Sequence, residues 1–159
     1  MRYIDSDLDS IQEMRNLIQN AQISFLQLQN LEQNELNVYG EKFIDEIEKE
    51  ADGLIKDFIS GNQYGLESDD IFLFHHFLDK FKQTSQQENY IGILEGDIGE
   101  KTIEIGAPLG VISVLLPAFP TFTLLVNIIL LAMKSGNTMV VVANKHTKEV
   151  TIAAFKRLV

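Results

Sequence analysis

Few side chains in this chain of 159 residues have both the type and the spacing that chemistry needs. Of three histidines, two are adjacent, His75 and His76 in FLFHHFL. Neighbouring residues of a helix point about 100° apart, so two such rings do not readily share a metal ion, and the pair reads as boundary histidines. Ser113 lies in an apolar run and Ser135 in a helix stop, neither with the local signature of a nucleophilic serine. Carboxylates abound, but helical spacing puts them on wet faces, where charge runs are solvated surface. The chain has no cysteine. That removes disulfides, thiolate metal ligands and a thiol nucleophile together, and it points to the cytoplasm. No G-x-G-x-x-G phosphate loop is present, and KSGN reads as a helix stop. In VVVANKH, Asn144 and Lys145 are placed either to reach a ribose or phosphate or simply to make a polar loop between strand and helix.

The balance of the chain narrows the classes further. Hydrophobic residues make up 45% and charged ones 23%, an ordinary globular mixture in which one domain is expected. The net charge is −10 and the thirteen Lys and Arg are scattered, which argues against nucleic-acid binding. Up to Glu104 there are 22 acids and 8 bases, and after it 1 acid and 5 bases. The acidic part is a solvated helical layer or a docking face for a basic partner. The start, MRYIDSDLDS, places acids where a signal peptide needs a positive end and an apolar run.

The elements that must position these residues follow from periodicity. DSIQEMRNLIQNAQISFLQL aligns Ile11, Met14, Leu17, Ile18, Ala21 and Phe25 in one helical stripe. NELNVYGEKFIDEIEKEADGLIKDFI aligns Leu36, Tyr39, Phe43, Ile47, Ala51, Leu54, Ile55 and Phe58, with Glu41, Asp45, Glu48, Lys49 and Asp52 opposite. After the break SGNQYG, Ser68 is the expected N-cap of a third helix, with Asp69 and Asp70 in its first turn and Phe74, Phe77, Leu78 and Phe81 inward. A polar loop, KQTSQQEN, leads to YIGIL and KTIEIG around EGDIGE, a two-stranded ribbon.

Between Glu104 and Lys134 there is no charge, a run long enough to span a bilayer. Pro117 and Pro120 divide it. GVISVLL before them has strand length and β-branching; TFTLLVNIILLAMKSGN after them reads as a helix stopped by Gly136; TMVVV is a second strand and TKEVTIAAFKRLV another helix. Strand, helix, strand, helix is the pattern of a βαβ layer rather than a membrane span. Strands near 111–116 and 138–143 should therefore be adjacent and parallel, joined by a right-handed crossover through helix 121–135.

The stretch APLGVISVLLPAFPTFTLLVNIILLAMKSGNTMVVVANKHTKE resembles the start of the nucleotide-binding domain of the aldehyde dehydrogenase superfamily. The upstream YGLESDD followed by FHHF is similar to the segment joining the second and third helices of the CoA-acylating acetaldehyde dehydrogenases, including the aldehyde dehydrogenase half of bifunctional aldehyde-alcohol dehydrogenases. The resemblance implies an α/β fold of three N-terminal helices, a β-ribbon and the start of a Rossmann-like βαβ layer. It divides the chain into a helical segment 1–88, a ribbon 89–106 and the first βαβα at 107–159, all one folding unit.

What the resemblance implies for chemistry departs from this sequence at several positions. The family places an Asn shortly after the first strand's Pro, to hold the oxyanion of the substrate carbonyl. Here the place reads Pro117-Ala118-Phe119-Pro120, with Phe119 near the Asn position and no amide donor. The position of the ribose-binding Lys that many non-acylating members carry falls at about Val142, which leaves Pro117, Val142, Asn144 and Lys145 as the residues matching the family's nucleotide-contacting segment. The family's reaction attacks an aldehyde with a Cys thiolate, transfers hydride to NAD and passes the acyl group to CoA or water. This chain offers no Cys for that step. Family members run to several times this length, and their further part holds the nucleophile, most of the nucleotide fold and the arm that pairs subunits.

Three functional readings stand. The chain is an inactive N-terminal fragment of an acylating aldehyde dehydrogenase, binding no NAD of its own. Alternatively it is an interaction or nucleotide-sensing module docking on a full-length relative, or an independent small enzyme. The partners expected are a second copy or the remainder of an aldehyde dehydrogenase, without nucleic acid or membrane. No metal site is expected.

Overall fold

The computed structural model describes residues 6–62, 65–85, 88–97, 102–119 and 121–158. Three helices come first: α1 (Ser6–Leu28), α2 (Gln33–Asn62) and α3 (Glu67–Ser85). A ribbon follows, β1 (Gly92–Asp97) antiparallel to β2 (Thr102–Gly106), with an irregularity in register between Ile93 and Glu95. Then come β3 (Val111–Leu115), α4 (Thr121–Lys134), β4 (Thr138–Val142) and α5 (Lys148–Leu158). The two strands of this βαβ unit pair in parallel, from Val111 opposite Thr138 to Leu115 opposite Val142. This is the α/β order expected from the sequence. No helix among the described residues is long and apolar enough to cross a membrane.

The uncharged run becomes buried because α2 covers it. Ile44, Ile47, Ala51, Leu54, Ile55 and Phe58 of α2 join Phe122, Leu125, Val126 and Leu130 of α4 in one core. Phe74 and Leu78 of α3 and Ala154 of α5 complete it. Phe74 is wholly buried, with its ring centroid 5.0 Å from that of Phe122, so this aromatic pair locks α3 onto α4. Strand alternation turns Val114 and Val141 to this core and leaves Ser113 and Leu115 on the other side.

The helix ends explain the turns. Glu35 Oε2 accepts the Glu32 N–H at 2.9 Å, half of a capping box at the start of α2. At the end of α4, the Asn137 N–H reaches Ala132 O at 2.8 Å and the Gly136 N–H reaches Met133 O at 3.2 Å. That is a Schellman stop, and Gly136 sits at φ 65°, where a glycine costs least. Asn137 Oδ1 then accepts the Gly110 N–H at 2.9 Å, and Thr138 N donates to Gly110 O at 3.1 Å. The stop of α4 thus sets the register of β4 on β3.

Several expectations need correction. Helix α3 begins at Glu67, and Leu66 O accepts both the Asp69 and Asp70 N–H groups at 3.0 Å. Ser68 is therefore inside the first turn, and its hydroxyl bonds Asp69 Oδ1 at 3.1 Å instead of capping. The same helix continues to Ser85, into what reads as a polar loop, because Lys82 is held by Glu48 of α2 at 2.5 Å. The stripe of α1 is covered only near its end: Ala21 and Phe25 are half-buried, while Ile11, Met14, Leu17 and Ile18 stay exposed. Helix α1 meets β4 and β3 there, and Thr138 Oγ1 donates to Ala21 O at 2.9 Å. On α2, Tyr39 is exposed and Ile44 takes an inward place. Pro120 and residues 98–101, within the expected ribbon, lie outside the described residues.

The aromatic lock can be measured. Phe74→Ala should cost about 3–5 kcal/mol in denaturant unfolding, the range for deleting a buried Phe. A loss below about 1 kcal/mol, the size of an ordinary surface change, would contradict its place at the centre of the core.

Candidate functional site

In an open parallel sheet, ligands collect beyond the carboxyl ends of the strands. Here Leu116 N–H donates to Val142 O at 3.0 Å, extending the ladder by one step and holding the two strand ends together. The segments that follow, 117–119 and 143–147, leave from the same end of the parallel pair. Pro117, Val142, Asn144 and Lys145 all lie in or beside them.

Their surroundings differ. Pro117 is exposed, Ala118 half-buried and Phe119 46% exposed, so the segment offers backbone and an aromatic ring but no side-chain amide. Val142 is half-buried in the ladder. Asn144 Oδ1 accepts the His146 N–H at 3.0 Å, while its main-chain oxygen accepts the Thr147 N–H at 3.0 Å. This side chain shapes the turn into α5, where the buried Thr147 receives the Thr151 N–H at 2.8 Å. Lys145 is exposed.

One neighbour of this loop has no signal in the sequence. A Cβ built on Gly65, at φ 89°, would collide with Asp70 Oδ2 and come within 2.8 Å of Phe119 Cε2. Asp70 and Phe119 thus converge on a glycine that cannot be enlarged. Asp70 Oδ2 is buried with no hydrogen-bond partner among the described residues. Burial, and then the neighbouring Asp69, hold its carboxyl above the usual aspartate range. In the sequence Asp70 shows only as a first-turn acid; the contact with Gly65 comes from the bend between α2 and α3.

The two adjacent histidines are separated by their partners. His75 Nε2 pairs with Asp52 Oδ1 at 3.0 Å, and His76 stacks on Phe72 with ring centroids 6.0 Å apart. No group of three His, Cys, Asp or Glu side chains able to hold a metal occurs among the described residues.

No family model matches the chain, and no curated protein matches it in sequence. Solved structures do match its fold. It superposes on a probable aldehyde dehydrogenase from Listeria monocytogenes with a TM-score of 0.85 and 24% identity, covering 98% of this chain and 34% of that one. An acetylating aldehyde dehydrogenase from Geobacillus thermoglucosidasius gives a TM-score of 0.86 at 23% identity, over 97% and 34% of the two chains. A gamma-glutamyl phosphate reductase from Saccharomyces cerevisiae is more distant, with a TM-score of 0.66 at 19% identity, over 90% of this chain and 40% of that one. The chain has the fold of the N-terminal part of an aldehyde dehydrogenase and spans about a third of the length of the two dehydrogenases.

Asp70 supplies a pH test. A carboxyl whose pKa is raised by folding holds its proton more tightly in the native than in the unfolded state, so its contribution falls as pH rises through the raised value. Asp70→Asn should therefore be more stable than the parent at neutral pH. The gap should close at about pH 3, below the usual aspartate value. Urea unfolding at both pH values checks this, and a gap independent of pH would contradict it.

Proposed function

We propose that this chain is the N-terminal segment of an aldehyde dehydrogenase-type protein, related to the acylating enzymes, and that it has no catalysis of its own. The observation that carries the reading is the close match of nearly the whole chain to that part of the dehydrogenase fold, in a sequence without cysteine. The family's chemistry needs a thiolate to attack the aldehyde carbonyl and a donor to hold the resulting oxyanion. The segment after Pro117 supplies neither, since Ala118 and Phe119 follow it. NAD would supply the hydride acceptor in a complete enzyme. Here the strand ends contribute one edge of such a site, from Pro117, Val142, Asn144 and Lys145, and Asn144 is already engaged in its own turn.

Docking belongs to the same reading. Leu115 is 79% exposed at the end of β3 and Leu109 is 87% exposed before it, and each strand of the parallel pair has one edge without a strand partner among the described residues. Ile11, Met14, Leu17 and Ile18 add an uncovered stripe on α1. Apolar surface of this extent marks an interface, which the remainder of a dehydrogenase fold or a second copy would cover.

Two measurements check these statements. With acetaldehyde, CoA and NAD at roughly millimolar levels, NADH absorbance should not rise above a heat-killed control. Phe119→Asn, which places an amide near the oxyanion position, should remain equally inert, because the missing thiol is not restored. Turnover that survives repurification and is lost on mutating the chain would overturn the inert reading; micromolar NAD binding without turnover would favour a nucleotide-sensing module. Light scattering should show a dimer or larger assembly of the purified chain. A stable monomer at high concentration would contradict self-association.

A further inference from the structure

Helix α1 gives way to α2 within a few residues, and hydrogen bonds tie the turn between them. Leu28 O accepts the Leu31 N–H at 2.9 Å, Glu32 O accepts the Leu36 N–H at 3.2 Å, and Asn30 Nδ2 donates to Leu26 O at 3.1 Å. From the start of α2, Gln33 Nε2 donates to Lys134 O at 3.0 Å, and Gln33 Oε1 accepts the N–H groups of Tyr90 and Ile91 at 2.7 and 3.0 Å. One glutamine thus fixes the first turn of α2 against the end of α4. Leu36 is buried beside the stop of α4, where a Cβ added to Gly136 would lie 3.5 Å from Leu36 Cδ1 and 3.2 Å from Pro108 Cγ.

These ties hold open a cavity of about 400 Å³ lined by Gln27 and Leu28 of α1, Leu31 of the turn, Leu36 and Tyr39 of α2, and Met133 of α4. Its size falls within the ~300–1,000 Å³ of small-molecule pockets, which are likewise mostly apolar with a few polar groups. Leu28, Leu31 and Met133 are half-buried, so they are walls rather than free surface. Met133 adds a thioether, which adapts to irregular shapes and favours the edges of aromatic rings. The polar groups of the lining are the Gln27 amide and the Tyr39 hydroxyl, and no charged side chain among the described residues belongs to it. The charges beside it along α2 are engaged elsewhere: Glu35 Oε2 accepts the Glu32 N–H at 2.9 Å, and Lys42 Nζ lies 5.9 Å from the centroid of the Tyr39 ring. A charge carried into this cavity would be desolvated without an ionic partner, which is costly.

We propose that this cavity binds a neutral, largely apolar small molecule carrying one hydrogen-bonding group, of the class of an aromatic alcohol. The ring lies among Leu28, Leu31, Leu36 and Met133, and the hydroxyl is held by Tyr39 and Gln27 at the more exposed side. The exposed stripe of Ile11, Met14 and Ile18 on α1 is a convex helical face, suited to packing against another chain. The cavity is concave, with walls from three separate segments, and suits a body that enters it. Met133 precedes the start of β4, so the cavity lies at the opposite end of that strand from Val142 and Asn144. The inference therefore stands apart from the dehydrogenase reading, and neither falls with the other.

Methyl resonances test it. The chain has four methionines, and Met133→Leu assigns the Met133 signal in protein labelled with ¹³C at the methionine methyls. At neutral pH, 1-naphthol should shift the Met133 methyl saturably and leave that of Met14, on the exposed stripe, in place. Naphthalene-1-sulfonate and 1-naphthylmethylammonium should bind at least about tenfold more weakly, since each carries a charge into the apolar walls. Leu31→Trp, which fills the cavity, should abolish the shift. If that variant does not fold, as read by circular dichroism, Gln27→Trp blocks the cavity from an exposed position and should do the same. Met14 and Met133 shifting together without saturation, charged probes binding as tightly as the alcohol, or binding that survives a folded blocking variant would each overturn the proposal. So would a Met133 shift on dilution without any probe, which would assign the cavity to a second copy of the chain.

Discussion

Leu125, Val126 and Leu130 of α4 are shut from solvent chiefly by α2, and the placement of both parallel strands follows from that contact. Each such side chain contributes about 1.5–3 kcal/mol when removed from water. Without α2, the uncharged run would be an apolar helix with no place in solution. With it, the helix is pinned at its start by Phe122 between Phe58 and Phe74, and at its end by Gly136 and Asn137. The short distance from that stop to Thr138 then leaves β4 no choice but to lie along β3.

The same arrangement explains what is left uncovered. Helix α2 is consumed by α3, α4 and α5, so among the described residues the first half of α1, Leu115 at the end of β3, and Ile93, Ile103 and Ile105 of the ribbon stay exposed, the last three each by more than 60%. The strand ends at Leu116 and Val142 open onto the exposed Pro117 and Lys145.

Much of this was legible in the residues. Period 3.6 in α2 and α3, the β-branched runs at 111–115 and 138–142, and the glycine stop at 136 each reflect local chemistry, and each appears where the pattern places it. The uneven cover of α1 was not legible, because periodicity reveals that a face is apolar and not whether anything packs on it. Ser68 has the right type for an N-cap, but the bend at Gly65 moved the helix start to Glu67. Asp70 and Lys134 acquire their burial from segments far away in sequence, so neither spacing nor composition could mark them.

Amide hydrogen exchange resolved by residue tests the account most directly, since it measures which contacts open only when the whole fold opens. The amides of residues 125–130 in α4 and of Ile47–Ile55 in α2 should exchange slowest and together, at the free energy of global unfolding. Those of residues 8–18 in α1 should exchange far faster, by local opening. Residues 125–130 exchanging as freely as α1, with α2 still protected, would contradict the claim that burial of α4 on α2 holds the rest in place.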